Sequence, residues 1–244
     1  MLKTAAVIPA RYASTRFPGK PLAKIAGKAM IQWTCEKAAA SKADLVVVAT
    51  DDLRIKEAVE SFGYQAVMTS ENHQSGTDRI AEAIQNIDAD LIINLQGDEP
   101  MLPSKIIDEL IDAMLSDKSL KMGTVVVPGD IDSEEYSDPN TVKVVKNIKN
   151  QALYFSRSPL PYFRNKPEKA ECLFHWGIYA YRRDFLEQYI KWPQSKLEKI
   201  ESLEQLRALE NGASIQLIIA QEKAIGVDTP EDICKVEEFL KQVK

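Results

Sequence analysis

Four times in the first 117 residues a short apolar run is followed by an amphipathic stretch, and this alternation narrows the possible folds more than any other feature. TAAVIPA (4–10), DLVVVAT (44–50), QAVMT (65–69) and DLIINLQ (90–96) are bounded by Asp, Gly or Pro and carry β-branched residues, the marks of buried strands. MIQWTCEKAAAS (30–41), DLRIKEAVESFG (52–63), GTDRIAEAIQNI (76–87) and PSKIIDELIDAMLSD (103–117) repeat Ile, Leu and Ala at the i, i+3, i+4 spacing of a one-faced helix. Strands that are apolar throughout need cover on both faces, and a helix after each strand supplies it. The chain is therefore expected to be α/β, with a mostly parallel central sheet and helices on both faces.

From about residue 122 the pattern changes. MGTVVVPG (122–129), NTVKVVKNIKN (140–150), QALYFSRS (151–158) and LFHWGIYAYRR (173–183) are strand-like runs without long helices between them. They imply a mixed, partly antiparallel insertion. LEKIESLEQLRALENG (197–212) predicts one long helix, with Leu197, Ile200, Leu203, Leu206 and Leu209 at near-helical spacing and Gly212 as its stop. SIQLIIAQ (214–221) and AIGVDT (224–229) read as strands. TPEDICKVEEFLKQVK (229–244) reads as a closing helix with Thr229 as N-cap, Pro230 as first helical residue and Asp232 as capping partner.

A chain of 244 residues buries enough surface to need neither disulfides nor a structural metal. Cys35, Cys172 and Cys234 form no C-x-x-C pair, and their odd count speaks against a secreted disulfide framework, so all three are expected reduced and buried. Two histidines exclude a multi-His metal site. There is no apolar run of about 18 residues to span a membrane, and the N-terminus lacks a signal-peptide core, so a cytoplasmic protein is expected. The net charge of −5 gives no global attraction for nucleic acid or an anionic membrane. Any anion site must be built locally.

Ligands of open α/β sheets sit outside the carboxyl ends of the strands. After the first strand comes ARYASTRFPGK (10–20), with Arg11, Arg16 and Lys20. The loop is neither G-x-x-x-x-G-K-[ST] nor G-x-G-x-x-G, so backbone amides are not its main cradle. Three side-chain cations suit a triphosphate, Arg as a fork and Lys as a point charge, though a solvated charged loop fits the spacing equally. Asp98 in NLQGDEP (94–100) and Asp228 in IGVDTPED (225–232) end apolar runs. Each reads alone as a turn or pre-helix residue. Together they form the carboxylate pair that magnesium takes alongside substrate oxygens. HQSGTDR (73–79) combines small polar residues with a Gly, which permits close approach of a flat ligand or simple capping by Ser75 or Thr77. His175 reads as a hydrogen-bonded core residue, and Glu204 and Gln205 as the solvent face of the long helix.

IPARYASTRFPGKPL, HQSGTDRIAEAI, NLQGDEPMLP, ALYFSRSPLPY, HWGIYAYRRDFL, LEKIESLEQLRALENG and GVDTPEDICKVE follow in this order over nearly the whole chain. In these segments the sequence resembles the 3-deoxy-manno-octulosonate cytidylyltransferase (CMP-Kdo synthetase) family. The resemblance implies a Rossmann-like nucleotide-diphospho-sugar transferase fold in a single nucleotidyltransferase domain over residues 1–244. The section at about 122–185 would form the sugar pocket and dimer contacts. It implies activation of 3-deoxy-D-manno-octulosonate (Kdo) by CTP, with Mg2+ as cofactor and a homodimer. Arg11, Arg16 and Lys20 are then the triphosphate cations, and Asp98 and Asp228 the magnesium carboxylates. Asp98, Asp228, Lys20 and Arg11 form the catalytic set. Gln74, Ser75, Gly76 and Thr77 lie near the cytidine. Gln96, Arg157, His175, Tyr179, Tyr181, Glu204 and Gln205 line the sugar pocket. Trp176 departs from the smaller aliphatic residue usual after the His. Two rival readings are a cytidylyltransferase for another acidic sugar and a non-catalytic nucleotide-binding regulator.

Overall fold

The computed structural model describes residues 2–13, 17–165, 171–221 and 225–242. In chain order the elements are β1 (Thr4–Ala10), β2 (Lys24–Ile25), β3 (Lys28–Ala29), α1 (Met30–Ala39), β4 (Leu45–Thr50), α2 (Leu53–Ser61), β5 (Gln65–Met68), α3 (Gly76–Ala83), β6 (Leu91–Asn94) and α4 (Ser104–Ser116). There follow β7 (Met122–Asp130), α5 (Glu134–Ser137), β8 (Lys143–Lys146), β9 (Ala152–Ser156), β10 (Glu171–Arg182), α6 (Arg183–Tyr189), α7 (Lys196–Glu201), α8 (Leu206–Glu210), β11 (Ile215–Ile219) and α9 (Pro230–Gln242). They form two compact units, one of Met1–Ile111 with Ala224–Lys244 and one of Asp112–Lys223.

In the first unit four strands lie parallel in the order β6-β1-β4-β5, with Val7 opposite both Val47 and Asn94. Ala5 to Ile8, Val47 to Ala49 and Leu91 to Ile93 are fully buried, as the unbroken apolar runs require. Side-chain caps start α2 and α3. Asp52 accepts the Arg54 amide at 2.9 Å before α2, and Ser75 accepts the Asp78 amide at 3.1 Å before α3. Thr229 and Asp232 cap α9 as expected, the Asp232 carboxylate accepting the Thr229 amide at 3.0 Å. β2 and β3 form a small hairpin absent from the sequence reading. Its two-residue turn places Ala26 at φ 49 and Gly27 at φ 85, and Glu237 of α9 accepts the Ala26 amide at 2.8 Å.

The second unit is mixed, as its strand-rich sequence implied. β7 pairs antiparallel with β10 and parallel with β11, while β8 pairs antiparallel with β10 and β9. The β10–β7 register shifts between Trp176 and Tyr179. The Ile178 carbonyl at this bulge accepts the Thr124 hydroxyl at 2.7 Å.

Three expectations need correction. The helix expected at 197–212 is two short helices, α7 and α8. Ser202 between them is left-handed, at φ 51, and Ile200 is 68% exposed while Leu203 and Leu206 are buried. The apolar period of the sequence runs across a break in the helix. Two ionic groups favour the corner: a buried Glu198–Arg207 pair folds α8 against α7, and the Arg157 side chain takes the Glu201 and Ser202 carbonyls. Residues 225–229 form no strand; the Val227 amide instead reaches the Asp98 carbonyl at 2.9 Å. Cys234 is exposed on α9, whereas burial holds Cys35 and Cys172 and pushes their thiols up to about 12 and about 11. Among the described residues no helix is long and apolar enough to cross a membrane.

Candidate active site

The carboxyl ends of β1 and β6 open into a cleft of about 440 Å3 in the first unit, lined by Arg11, Lys20, Gln96, Gly97, Asp98 and Asp228 among others. Three distant parts of the sequence meet at one atom there. Lys20 Nζ lies 2.8 Å from Asp98 Oδ2 and 3.5 Å from Asp228 Oδ1. Exposure grades across the trio, with the Lys20 side chain 14% accessible, Asp98 39% and Asp228 73%.

Local structure explains this convergence. Lys20 opens a short 3-10 turn whose cap, Gly19, is left-handed at φ 71, a conformation glycine adopts without a Cβ penalty. The Gly19 amide donates to the Tyr12 carbonyl at 2.9 Å, and a Cβ on Gly19 would lie 3.1 Å from the Tyr12 ring. The Arg54 guanidinium also lies on that ring, 3.4 Å from its centroid and tied to Asp52. Tyr12 and Arg54 thus clamp the loop that presents Lys20. Neither had been singled out from the sequence, because a clamp by a distant helix start leaves no local pattern. Asp98 is held through its neighbours. Thr34 Oγ1 donates to the Gly97 carbonyl at 3.3 Å, and the Asp98 carbonyl accepts Val227, the residue before Asp228.

Arg11 lies exposed at the rim of the cleft. Arg16 falls outside the described residues. Gln74 is exposed and Thr77 buried, and Ser75 caps α3. Gly76 packs against Pro9 at the end of β1, where a Cβ would lie 3.3 Å from the proline ring. The segment therefore caps a helix, and its glycine lets α3 start close against the end of β1. Gln96 donates to Asn94 Oδ1 at 3.3 Å.

The remaining candidates belong to the second unit. His175 Nε2 is 2.9 Å from Thr124 Oγ1. The single Thr124 hydroxyl proton goes to the Ile178 carbonyl, so Nε2 carries the proton of the histidine contact. An aromatic row runs from Phe155 through His175, Tyr179 and Tyr181 to Tyr189, with centroids 5.1 to 6.1 Å apart. Desolvation, with Glu204 adding, pushes the Tyr179 phenol above its usual range, so it stays a neutral donor. Tyr189 donates to the Glu204 carbonyl at 2.6 Å. Gln205, expected on a solvent face, is 3% exposed, and its Nε2 has no hydrogen-bond partner among the described residues. A buried, unanswered amide donor is costly to leave without a hydrogen-bond partner. Arg157 donates to the carbonyls of Glu201 and Pro139 at 2.7 Å and of Ser202 at 3.3 Å. Much of its fork is thus spent on backbone. Trp176 is buried, and its indole N–H lacks a partner among the described residues.

Cations after β1, Asp98 after β6 and Asp228 before α9 thus meet at the carboxyl ends of a parallel α/β sheet, where such folds bind their ligands. The chain belongs to the cytidylyltransferase family, whose model matches residues 5–218. The 3-deoxy-manno-octulosonate cytidylyltransferase of Bdellovibrio bacteriovorus is 47% identical over 244 residues, covering 98% of each chain. That of Geobacter metallireducens is 49% identical over 251 residues, again covering 98% of each. A solved structure of a CMP:2-keto-3-deoxy-manno-octonic acid synthetase complexed with CTP superposes with a TM-score of 0.95 at 47% identity, covering 99% of this chain and all of that one. The α/β fold expected from the sequence is thus the fold of that synthetase.

Proposed function

We propose that the protein is a magnesium-dependent cytidylyltransferase that converts CTP and Kdo to CMP-Kdo and pyrophosphate, an activation step for lipopolysaccharide synthesis. One observation carries the reading: Lys20, Asp98 and Asp228 converge in the strand-end cleft of a chain 47% identical to a synthetase solved with CTP. The anomeric hydroxyl oxygen of Kdo attacks the α-phosphorus, the α–β phosphoanhydride bond breaks, and the hydroxyl proton is lost to solvent. The protein contributes positioning and charge rather than covalent chemistry.

Arg11, Arg16 and Lys20 hold the triphosphate and then the leaving pyrophosphate, while Gln74 to Thr77 flank the cytidine. Gln96, Arg157, His175, Tyr179, Tyr181, Glu204 and Gln205 serve the sugar. The unanswered Gln205 amide supports that role. The donor set fits magnesium, because Asp98 and Asp228 already face a single positive charge and substrate oxygens with water would complete an octahedron. When bound, magnesium would offset phosphate charge and favour ionisation of the hydroxyl. We assign the protein to the cytoplasm as a homodimer through the section at 122–185, where Ile148 and Leu153 are exposed.

Pyrophosphate release should require CTP, Kdo and magnesium, each omitted in turn. Other sugar acids offered in competition should not displace Kdo. Asp98→Asn should lower kcat by ~100-fold with unchanged circular dichroism, on the scale of losing one aimed electrostatic contact; a normal rate would overturn the metal assignment. Lys20→Ala should raise KM for CTP more than for Kdo, and equal losses would indicate misfolding. Sedimentation at micromolar concentration tests the dimer.

A further inference from the structure

Lys20 has two tasks that exclude one another. As a triphosphate ligand its ammonium must lie on phosphate oxygens. Here it lies on Asp98 Oδ2 at 2.8 Å and near Asp228 Oδ1 at 3.5 Å. These are the carboxylates that would hold a magnesium ion, at about 2.0–2.1 Å, with water and phosphate filling its other positions. An ammonium within hydrogen-bond distance of a carboxylate oxygen occupies the space and the charge that such an ion takes. Lys20 is also not a stray surface side chain. Its exposure is 14%, and its backbone is set by the left-handed Gly19 and the Tyr12 clamp.

We infer that Lys20 is an internal place-holder for the divalent cation, and that the nucleotide triphosphate removes it. In the free protein the ammonium neutralises Asp98 and Asp228 and keeps the pair together against its own repulsion. When the triphosphate arrives, the ammonium passes to the more highly charged phosphate oxygens. The freed carboxylates then take the metal. This order makes metal and nucleotide binding positively coupled, and the coupling is reciprocal. It also keeps the free enzyme from holding a cation without its substrate. The inference rests on the reading of Asp98 and Asp228 as metal ligands.

The test uses Mn2+ alone as probe, with its binding to nucleotide-free protein followed by electron paramagnetic resonance. Lys20→Met should tighten Mn2+ by about tenfold, the factor that one charge-assisted hydrogen bond is worth. Lys20→Gln repeats the test in a second neutral variant in case the first is unstable. Arg11→Met removes the same charge from an exposed residue lining the same cleft, one not paired with either carboxylate, and should change Mn2+ affinity by less than about threefold, as a solvent-screened charge does. If the Lys20 variants bind Mn2+ no better than the wild type, or if Arg11→Met matches them, the place-holder is overturned. Adding Asp98→Asn to Lys20→Met separates the two readings. Loss of the gained affinity supports both, whereas a gain that survives removal of Asp98 means that Mn2+ sits elsewhere and the metal assignment itself fails.

Discussion

A buried ion pair helps to hold the corner between α7 and α8, and Arg207→Met would show by how much. Arg207 and Glu198 are each 6% accessible. Nε lies 2.8 Å from Glu198 Oε2 and Nη2 lies 2.5 Å from Oε1, a forked contact over the Tyr189 ring. The Glu198 hydrogen bond is the largest cause holding the Arg207 guanidinium above its usual pKa, so the pair is ionic in the folded protein. Methionine replaces the stem but not the fork. Glu198 Oε2 keeps the Ser195 amide at 3.0 Å, yet the carboxylate is left buried without its counter-charge. Removing one partner of such a pair costs ~3–5 kcal/mol. An exposed pair such as Lys105–Glu109, at 3.6 Å, is worth only ~0.2–1 kcal/mol. Urea unfolding followed by tryptophan fluorescence suits the measurement, since Trp192 packs edge-on to Phe185 and Tyr189, 5.7 and 5.8 Å away. Arg207→Met should lower stability by ~3 kcal/mol or more, and Arg207→Met with Glu198→Leu should recover most of it by removing both charges. The surviving folded protein should show a higher KM for Kdo than for CTP, because the corner carries Glu204 and Gln205. A loss below ~1 kcal/mol would class the pair with surface pairs and refute the reasoning.

Two further outcomes follow from contacts elsewhere. Asp232 is held well below the usual carboxyl range, first by Lys235 and then by the Thr229 and Asp228 amides, against an ordinary value of 3.8. A depressed folded pKa contributes stability that is present above the unfolded value and lost as pH falls below it toward the folded one. Acid unfolding of Asp232→Asn should therefore show a shallower loss below pH 3.8 than the wild type, and identical slopes would remove Asp232 from the acid response. In β7, a Cβ at Gly129 would sit 2.3 Å from the buried Phe174 ring. Gly129→Ala should cost about 1–3 kcal/mol as an overpacked site, and Gly129→Ala with Phe174→Leu should recover part of that in the same urea assay.

Much of the first unit was legible in the sequence because its strands are buried on both faces and its helices on one. Those two periods write themselves into short, local patterns, so β1, β4, β5 and β6 fall within a few residues of their expected ends. The cap of α9 was legible for the same reason, since Thr229, Pro230 and Asp232 act within one turn. The chemistry of the site was legible as residue types after strand ends: cations after β1, and carboxylates after β6 and before α9. What failed was whatever depended on distant partners. The leucine period at 197–212 continues through Ser202, but the chain does not, because Arg157 and the Glu198–Arg207 pair hold a corner there. Gln205 moved from an expected solvent face to a buried one through the same corner. Composition and local pattern thus determined that this is an α/β chain with a cationic loop after its first strand and an acidic residue after another strand and before the last helix. Only the tertiary structure brought Asp98 and Asp228 within 3.5 Å of the Lys20 ammonium. Electrostatic contact depends on distance in space, and the sequence records only distance along the chain.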